Sequence, residues 1–191
     1  MTLLGIDTES GGIGLEYSLL SINFSIIDDN CEIVESLDLK LKPDPINGRS
    51  EYFVQAEALR VNKINLAQHD LEAISYKESK SVIYKWLEKT TKEYGNFTVF
   101  GQKVERDVEL ITRYTISENS WYNFVNRRVI DTISLGKYAQ LIGLIPETQS
   151  LSLSKITDYL GVEVDENLIH DAQYDVMLGA QYLKWFKDNL K

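Results

Sequence analysis

The start of the chain has the periodicity of strands. Residues 3–7 (LLGID) form a short apolar run that ends in an acid. Residues 19–28 (LLSINFSIID) alternate apolar and polar positions, and residues 32–41 (EIVESLDLKL) alternate again, as half-buried strands do. Asp28-Asp29-Asn30, between the last two, is turn chemistry. Three successive strands with short turns predict an antiparallel meander. Residues 42–50 carry Pro43, Pro45 and Gly48 and read as a loop. The period then changes. Val82, Ile83, Trp86 and Leu87 recur at helical spacing within residues 77–93. A short apolar strand at 96–100 precedes a helix at 105–114, where Val108, Ile111 and Tyr114 stand three apart. A strand at 128–131 and helices near 133–141, 153–160 and 171–190 complete the chain. Strands that alternate with helices pair in parallel. A meander followed by such units predicts an α/β fold with a mixed sheet packed against helices.

Composition narrows this to one domain. The chain has 191 residues, 43% hydrophobic and 26% charged, enough for a single sizeable core across residues 1–191. No apolar run approaches the roughly 18 residues of a membrane span. The start, MTLLGID, lacks the basic region and long apolar stretch of a secretory signal. Cys31 is the only cysteine, which excludes an intrachain disulfide and a cysteine zinc cluster. Asn23-Phe24-Ser25 and Asn96-Phe97-Thr98 match the glycosylation acceptor pattern, but without a signal they read as chance. These features predict a soluble, cytoplasmic protein with no membrane partner. The net charge of −9 bears on nucleic acid, because a protein that grips a long stretch of it carries a basic face. Either nucleic acid is not the partner, or only a short piece is held. The local cations Lys40/Lys42, Lys103/Arg106 and Arg127-Arg128 read first as solvated surface.

The candidate chemistry lies in acids at the ends of elements. Asp7 and Glu9 fall at positions i and i+2 of a strand and so share one face. Carboxylates that close resist joint ionisation, and a divalent cation between them removes the conflict. Taken alone, the stretch also reads as a strand running out into an acidic turn. Asp107 follows the 96–100 strand in the first turn of the next helix, where the helix dipole favours an acid. Asp131 ends another strand and reads as a helix cap. In IHDAQYD, five residues separate His170 from Asp175, about 140° apart on an ideal helix. They converge only if His170 lies on the loop before the helix and Asp175 near its first turn. Four carboxylates and one histidine are a hard ligand set that suits magnesium or manganese. Two such ions about 3.5–4 Å apart activate water in phosphoryl chemistry. A histidine with a pKa near 6.5 can take the proton.

These residues resemble the motifs of the DEDDh 3′–5′ exonucleases of the ribonuclease H-like fold. The first motif, D-x-E followed by small residues, is similar to Asp7-Thr8-Glu9-Ser10-Gly11. The third, H-x-A-x-x-D, is matched in full by His170-Asp171-Ala172-Gln173-Tyr174-Asp175. EALRVNKIN, RVIDTISL and SLSLSKITDYLGV resemble the connecting segments, so the likeness spans nearly the whole chain in order. The second motif departs from the usual G-H-N-x-x-F-D. Here it reads Gly101-Gln102-Lys103-Val104-Glu105-Arg106-Asp107. The aspartate is kept, while Gln102, Lys103 and Arg106 replace the histidine, asparagine and phenylalanine. Lys103 and Arg106 then either meet phosphates or form a solvent-facing edge.

The resemblance implies a central five-stranded mixed sheet with helices on both sides. It implies that Asp7, Glu9 and Asp175 hold one metal, and that Asp7 bridges to a second held by Asp107. His170 is implied as the general base. The backbone around Thr8 and Ser10 is implied to meet the terminal 3′-hydroxyl, and Val61 and Asn62 to line the terminal base. The implied reaction releases nucleoside 5′-monophosphates from the 3′ end of single-stranded DNA or RNA. An acidic chain is compatible with it, because few terminal phosphates are held. Tyr52, Phe53, Trp121 and Tyr122 are stacking candidates, each read first as core. The altered second motif also admits a catalytically inactive relative that serves as a nucleic-acid or protein interaction module. A stand-alone enzyme, a homodimer and a subunit recruited by a partner protein all remain open.

Overall fold

The computed structural model describes residues 2–190. The meander is present: β1 (Leu3–Ser10), β2 (Leu19–Ile27) and β3 (Ile33–Lys42) pair antiparallel in sequence order. Beyond it come α1 (Ala56–Val61), α2 (Leu66–Glu72), β4 (Ile74–Ser75) and α3 (Tyr76–Tyr94). The chain then alternates as β5 (Phe97–Gly101), α4 (Val104–Tyr114), α5 (Glu118–Trp121), β6 (Val125–Asp131) and α6 (Thr132–Leu141). Two further helices follow, α7 (Leu153–Tyr159) and α8 (Ala172–Asn189). The strand order is β4-β3-β2-β1-β5-β6, with β5 parallel to β1 and β6 parallel to β5.

The sheet therefore has six strands where five were expected. The sixth, β4, is two residues that pair in parallel with Leu41 and Lys42 at the end of β3. Two residues are too few to show a period. Its position is fixed instead by Ser75, which ends β4 and caps α3 in a reciprocal capping box with Glu78. Likewise α1, α2 and α5, of six, seven and four residues, are not among the periodic tracts of the sequence.

Alternation along β1 divides the interior in two. Leu4 and Ile6 join Ile22, Phe24, Ile83, Leu87, Leu110, Ile111 and Trp121 in the main core, under α3, α4 and α5. Leu3 faces the other way and packs with Ile27, Phe100, Val176 and Ala180 beneath α8. A smaller cluster, with Ala139, Ile156, Tyr182 and Phe186, joins α6 and α7 to α8. Glycine allows α8 to lie this close: a Cβ on Gly5 would stand 2.6 Å from Val176 Cγ1. This approach brings the first turn of α8 alongside the carboxyl end of β1. Among the described residues, no helix is long and apolar enough to cross a membrane.

Candidate active site

The chain leaves β1 on one side for β2 and returns on its other side at β5. The crevice beyond the carboxyl ends of β1 and β5 is thus a switch point, where open α/β sheets bind ligands. The candidate acids gather there. Asp7 and Glu9 share one face of β1, opposite Asn23 and Ser21 of β2. Glu9 is buried at 8% exposure and Asp7 half-buried. Asp107 arrives in the first turn of α4, also buried, and accepts a hydrogen bond from Thr8 Oγ1 at 2.6 Å. The turn into α4 passes close over β1, since a Cβ on Gly101 would meet Ile6 O at 2.7 Å.

His170 lies on the loop before α8 and Asp175 in its first turn, the arrangement their spacing required. His170 adopts left-handed φ of 68°, and the Asp171 side chain caps α8 by accepting from Tyr174 N at 3.0 Å. Glu9, His170 and Asp175 each offer one ligand atom, and these atoms lie within 4.8 Å of one another.

Charge ties Asp7 and Asp107 to that trio. Burial, then Asp107, Glu9, Asp175 and Asp171, push the Asp7 carboxyl well above its ordinary range. Burial and the neighbouring Asp175, Asp107 and Asp171 push Glu9 up to about 9, against the opposing pull of Arg106. Asp107 rises to about 7 through burial, although its hydrogen bond from Thr8 and the Arg106 charge oppose this. Asp175 rises to about 6 through burial, opposed by a backbone hydrogen bond from His170. Partial burial of its ring and then the Lys63 charge hold His170 below its ordinary value. Buried acids in mutual conflict, with a histidine among them, fit a divalent cation, whose charge would reverse the repulsion.

The remaining candidates surround this group. Asn62, at the end of α1, donates to Ser10 O at 3.1 Å, and Val61 beside it is 36% exposed. Lys103 is exposed, at left-handed φ of 53°, and lines a cavity with Arg106, Asp131 and Ser134. Asp131 caps α6 by accepting from Ser134 N at 3.0 Å, in line with its structural reading. Trp121 is core, but Phe53 is 56% exposed and stacks on Tyr17 at 4.8 Å between ring centroids. Arg106 is half-buried and joins neighbouring backbone. Its Nη2 donates to Gly12 O at 2.8 Å and Ser10 Oγ at 3.1 Å, tying α4 to the loop after β1. Sequence reasoning missed this strap, and also Lys63, whose Nζ donates to three carbonyls just before His170. Neither contact leaves a periodic or motif signal.

No family model and no curated protein matches the chain. Solved structures do. An exonuclease I structure superposes with a TM-score of 0.75 at 19% identity, covering 98% of this chain and 41% of that one. Escherichia coli exonuclease I bound to a 5cy-dT13 oligonucleotide gives 0.74 at 18%, over 98% and 41%. Exonuclease I of the moderately thermophilic Methylocaldum szegediense gives 0.72 at 18%, over 98% and 40%. The chain shares the ribonuclease H-like fold of these exonuclease I structures. Within this exonuclease fold, the chain spans about two-fifths of the length of the proteins it matches. E. coli exonuclease I is also known in a zinc-bound complex with single-stranded DNA.

Proposed function

We propose that the protein is a DEDDh 3′–5′ exonuclease, a metal-dependent phosphodiester hydrolase that removes nucleoside 5′-monophosphates from the 3′ end of single-stranded nucleic acid. One observation carries the reading: four carboxylates and a histidine from three separate stretches meet at the switch point of an exonuclease fold. Asp7, Glu9 and Asp175 would hold one divalent cation, and Asp7 and Asp107 would hold a second. Mg2+ or Mn2+ bound there would supply positive charge to acidify a water and to stabilise a leaving oxygen. Thr8 orients Asp107 through their 2.6 Å hydrogen bond. His170 accepts the proton of the water, and its lowered pKa favours the neutral ring that can do so. The backbone at Thr8 and Ser10 meets the terminal 3′-hydroxyl. Val61 and Asn62 border the terminal base, and Lys103 meets a phosphate at the rim. The oligonucleotide complexes of E. coli exonuclease I support single-stranded DNA as the substrate here. The protein acts in the cytoplasm, alone, as a homodimer or beside a partner protein.

The test is incubation of 5′-labelled single-stranded DNA and RNA with Mg2+ or Mn2+. A ladder that shortens from the 3′ end is expected for the parent, absent for Asp7→Ala. His170→Ala is expected to slow the reaction about 10²- to 10⁴-fold, the usual contribution of a general base. No cleavage of either polymer with either metal would overturn the reading. The altered second motif would then mark an inactive relative.

A further inference from the structure

Lys63 bridges two parts of the candidate site. Its ammonium donates to Glu166 O at 2.8 Å, Asn167 O at 3.0 Å and Ile169 O at 3.4 Å. An ammonium has three N–H bonds, so the loop before His170 engages all of them. The preceding residue, Asn62, donates to Ser10 O at the end of the strand that carries Asp7 and Glu9. Two adjacent residues thus tie the D-x-E strand to the histidine loop.

The backbone gives a second, independent observation. Ile64 N bonds to Leu59 O at 3.0 Å and Lys63 N to Arg60 O at 3.4 Å, the paired bonds of a Schellman motif that closes α1. The motif puts Lys63 at its left-handed position, with φ of 55°. Glycine is the usual residue there, because a Cβ is strained in that conformation. The turn itself needs no side chain. Only the contacts to the loop use the one that is present.

We propose that Lys63 is a positioning residue for His170. Its ammonium fixes residues 166–169 so that the imidazole stands against Glu9 and Asp175. The proposal rests on the reading of His170 as the general base. His170 is exposed and on a left-handed turn, so packing gives it little help and its placement comes from the main chain. With all three N–H bonds committed, Lys63 acts on the chemical step, not on the binding of phosphate.

The experiment compares Lys63→Gly, Lys63→Asn and Lys63→Arg, each alone and combined with His170→Ala. Glycine and asparagine both tolerate the left-handed position, so these variants are expected to keep or raise Tm. Hydrogen exchange at the 165–170 amides is expected to quicken in Lys63→Gly and Lys63→Asn and to recover in part in Lys63→Arg. On labelled single-stranded DNA, kcat is expected to fall about tenfold, the scale of losing an orienting contact. KM should hold. In the His170→Ala background the same substitutions should cost nothing further. Unchanged loop exchange would overturn the proposal. So would a rise in KM with kcat held, or an equal loss in the His170→Ala background, either of which would make Lys63 a nucleic-acid contact. If the parent cleaves nothing, the functional reading fails. Exchange alone then decides whether Lys63 fixes the loop.

Discussion

The two ends of α8 meet the sheet in opposite ways. At its start, Asp175 and the capping Asp171 face Asp7 and Glu9, so acid is set against buried acid. At its far end, Phe186 is buried with Tyr182, their rings 5.0 Å apart, and Leu183 packs toward Leu3 and Ile27. The charges around that end are matched: Lys184 pairs with Glu32 at 2.6 Å, and Lys187 donates to Asp29 O. One helix is thus locally consistent at its end and in conflict at its start. Conflict of this kind concentrates at functional sites, held in place by packing elsewhere. The difference sets the carboxyl end of β1, where charges conflict, apart from its amino end, where packing anchors α8.

Substitutions can pull the two ends apart. The largest effect is expected from Asp7→Ala, which should abolish the proposed exonuclease activity and yet raise the Tm of the metal-free protein, because one of the mutually repelling acids is gone. Calorimetry with and without chelator checks this, and a lower metal-free Tm would argue against conflict at this end. Next comes the anchor. Phe186→Ala should cost about 3–5 kcal/mol of stability, as deleted core aromatics do. The activity of the fraction that remains folded should not change, as urea unfolding combined with active-site titration would show.

A third prediction concerns pH. Glu9 rises from 4.5 to about 9, Asp107 from 3.8 to about 7 and Asp175 from 3.8 to about 6. Between the ordinary and the raised values, the folded state binds more protons than the unfolded one. Stability contributed by these groups is therefore full below about pH 4 and is lost as pH rises through their folded values. The metal-free protein should lose Tm steadily between pH 5 and 9. Mg2+ should flatten the fall, since a ligand at a hundred times its Kd adds about 2.7 kcal/mol. A metal-independent Tm would break the comparison. The smallest effect is expected from Lys184→Ala, where an exposed pair is lost and Tm should stay within measurement scatter.

Much of this was legible in the residues. The period-two stretches before and after Asp28-Asp29-Asn30 became β2 and β3, and the helix over 77–93 became α3 nearly to its bounds. The five chemical candidates were found from the positions of acids at element ends and from the H-x-A-x-x-D spacing. What escaped was short or non-local. The two-residue β4 exists because β3 is there to pair with it. Arg106 looked like a free cation until the fold carried the loop after β1 beneath its guanidinium. Lys63 reaches across 103 residues of sequence to Glu166 O, and no local pattern records that contact.

By itself the sequence determined the longer elements, their order and the chemical types available for a hard-metal site. Periodicity and turn residues are local properties, and they survive in any context that buries the apolar face. Tertiary structure decided which of the acids share a crevice. Asp7, Asp107 and Asp175 lie far apart in the chain and meet only because β5 returns beside β1 and Gly5 lets α8 approach. It also decided the protonation of those acids, because burial and mutual repulsion arise only once the chain is folded.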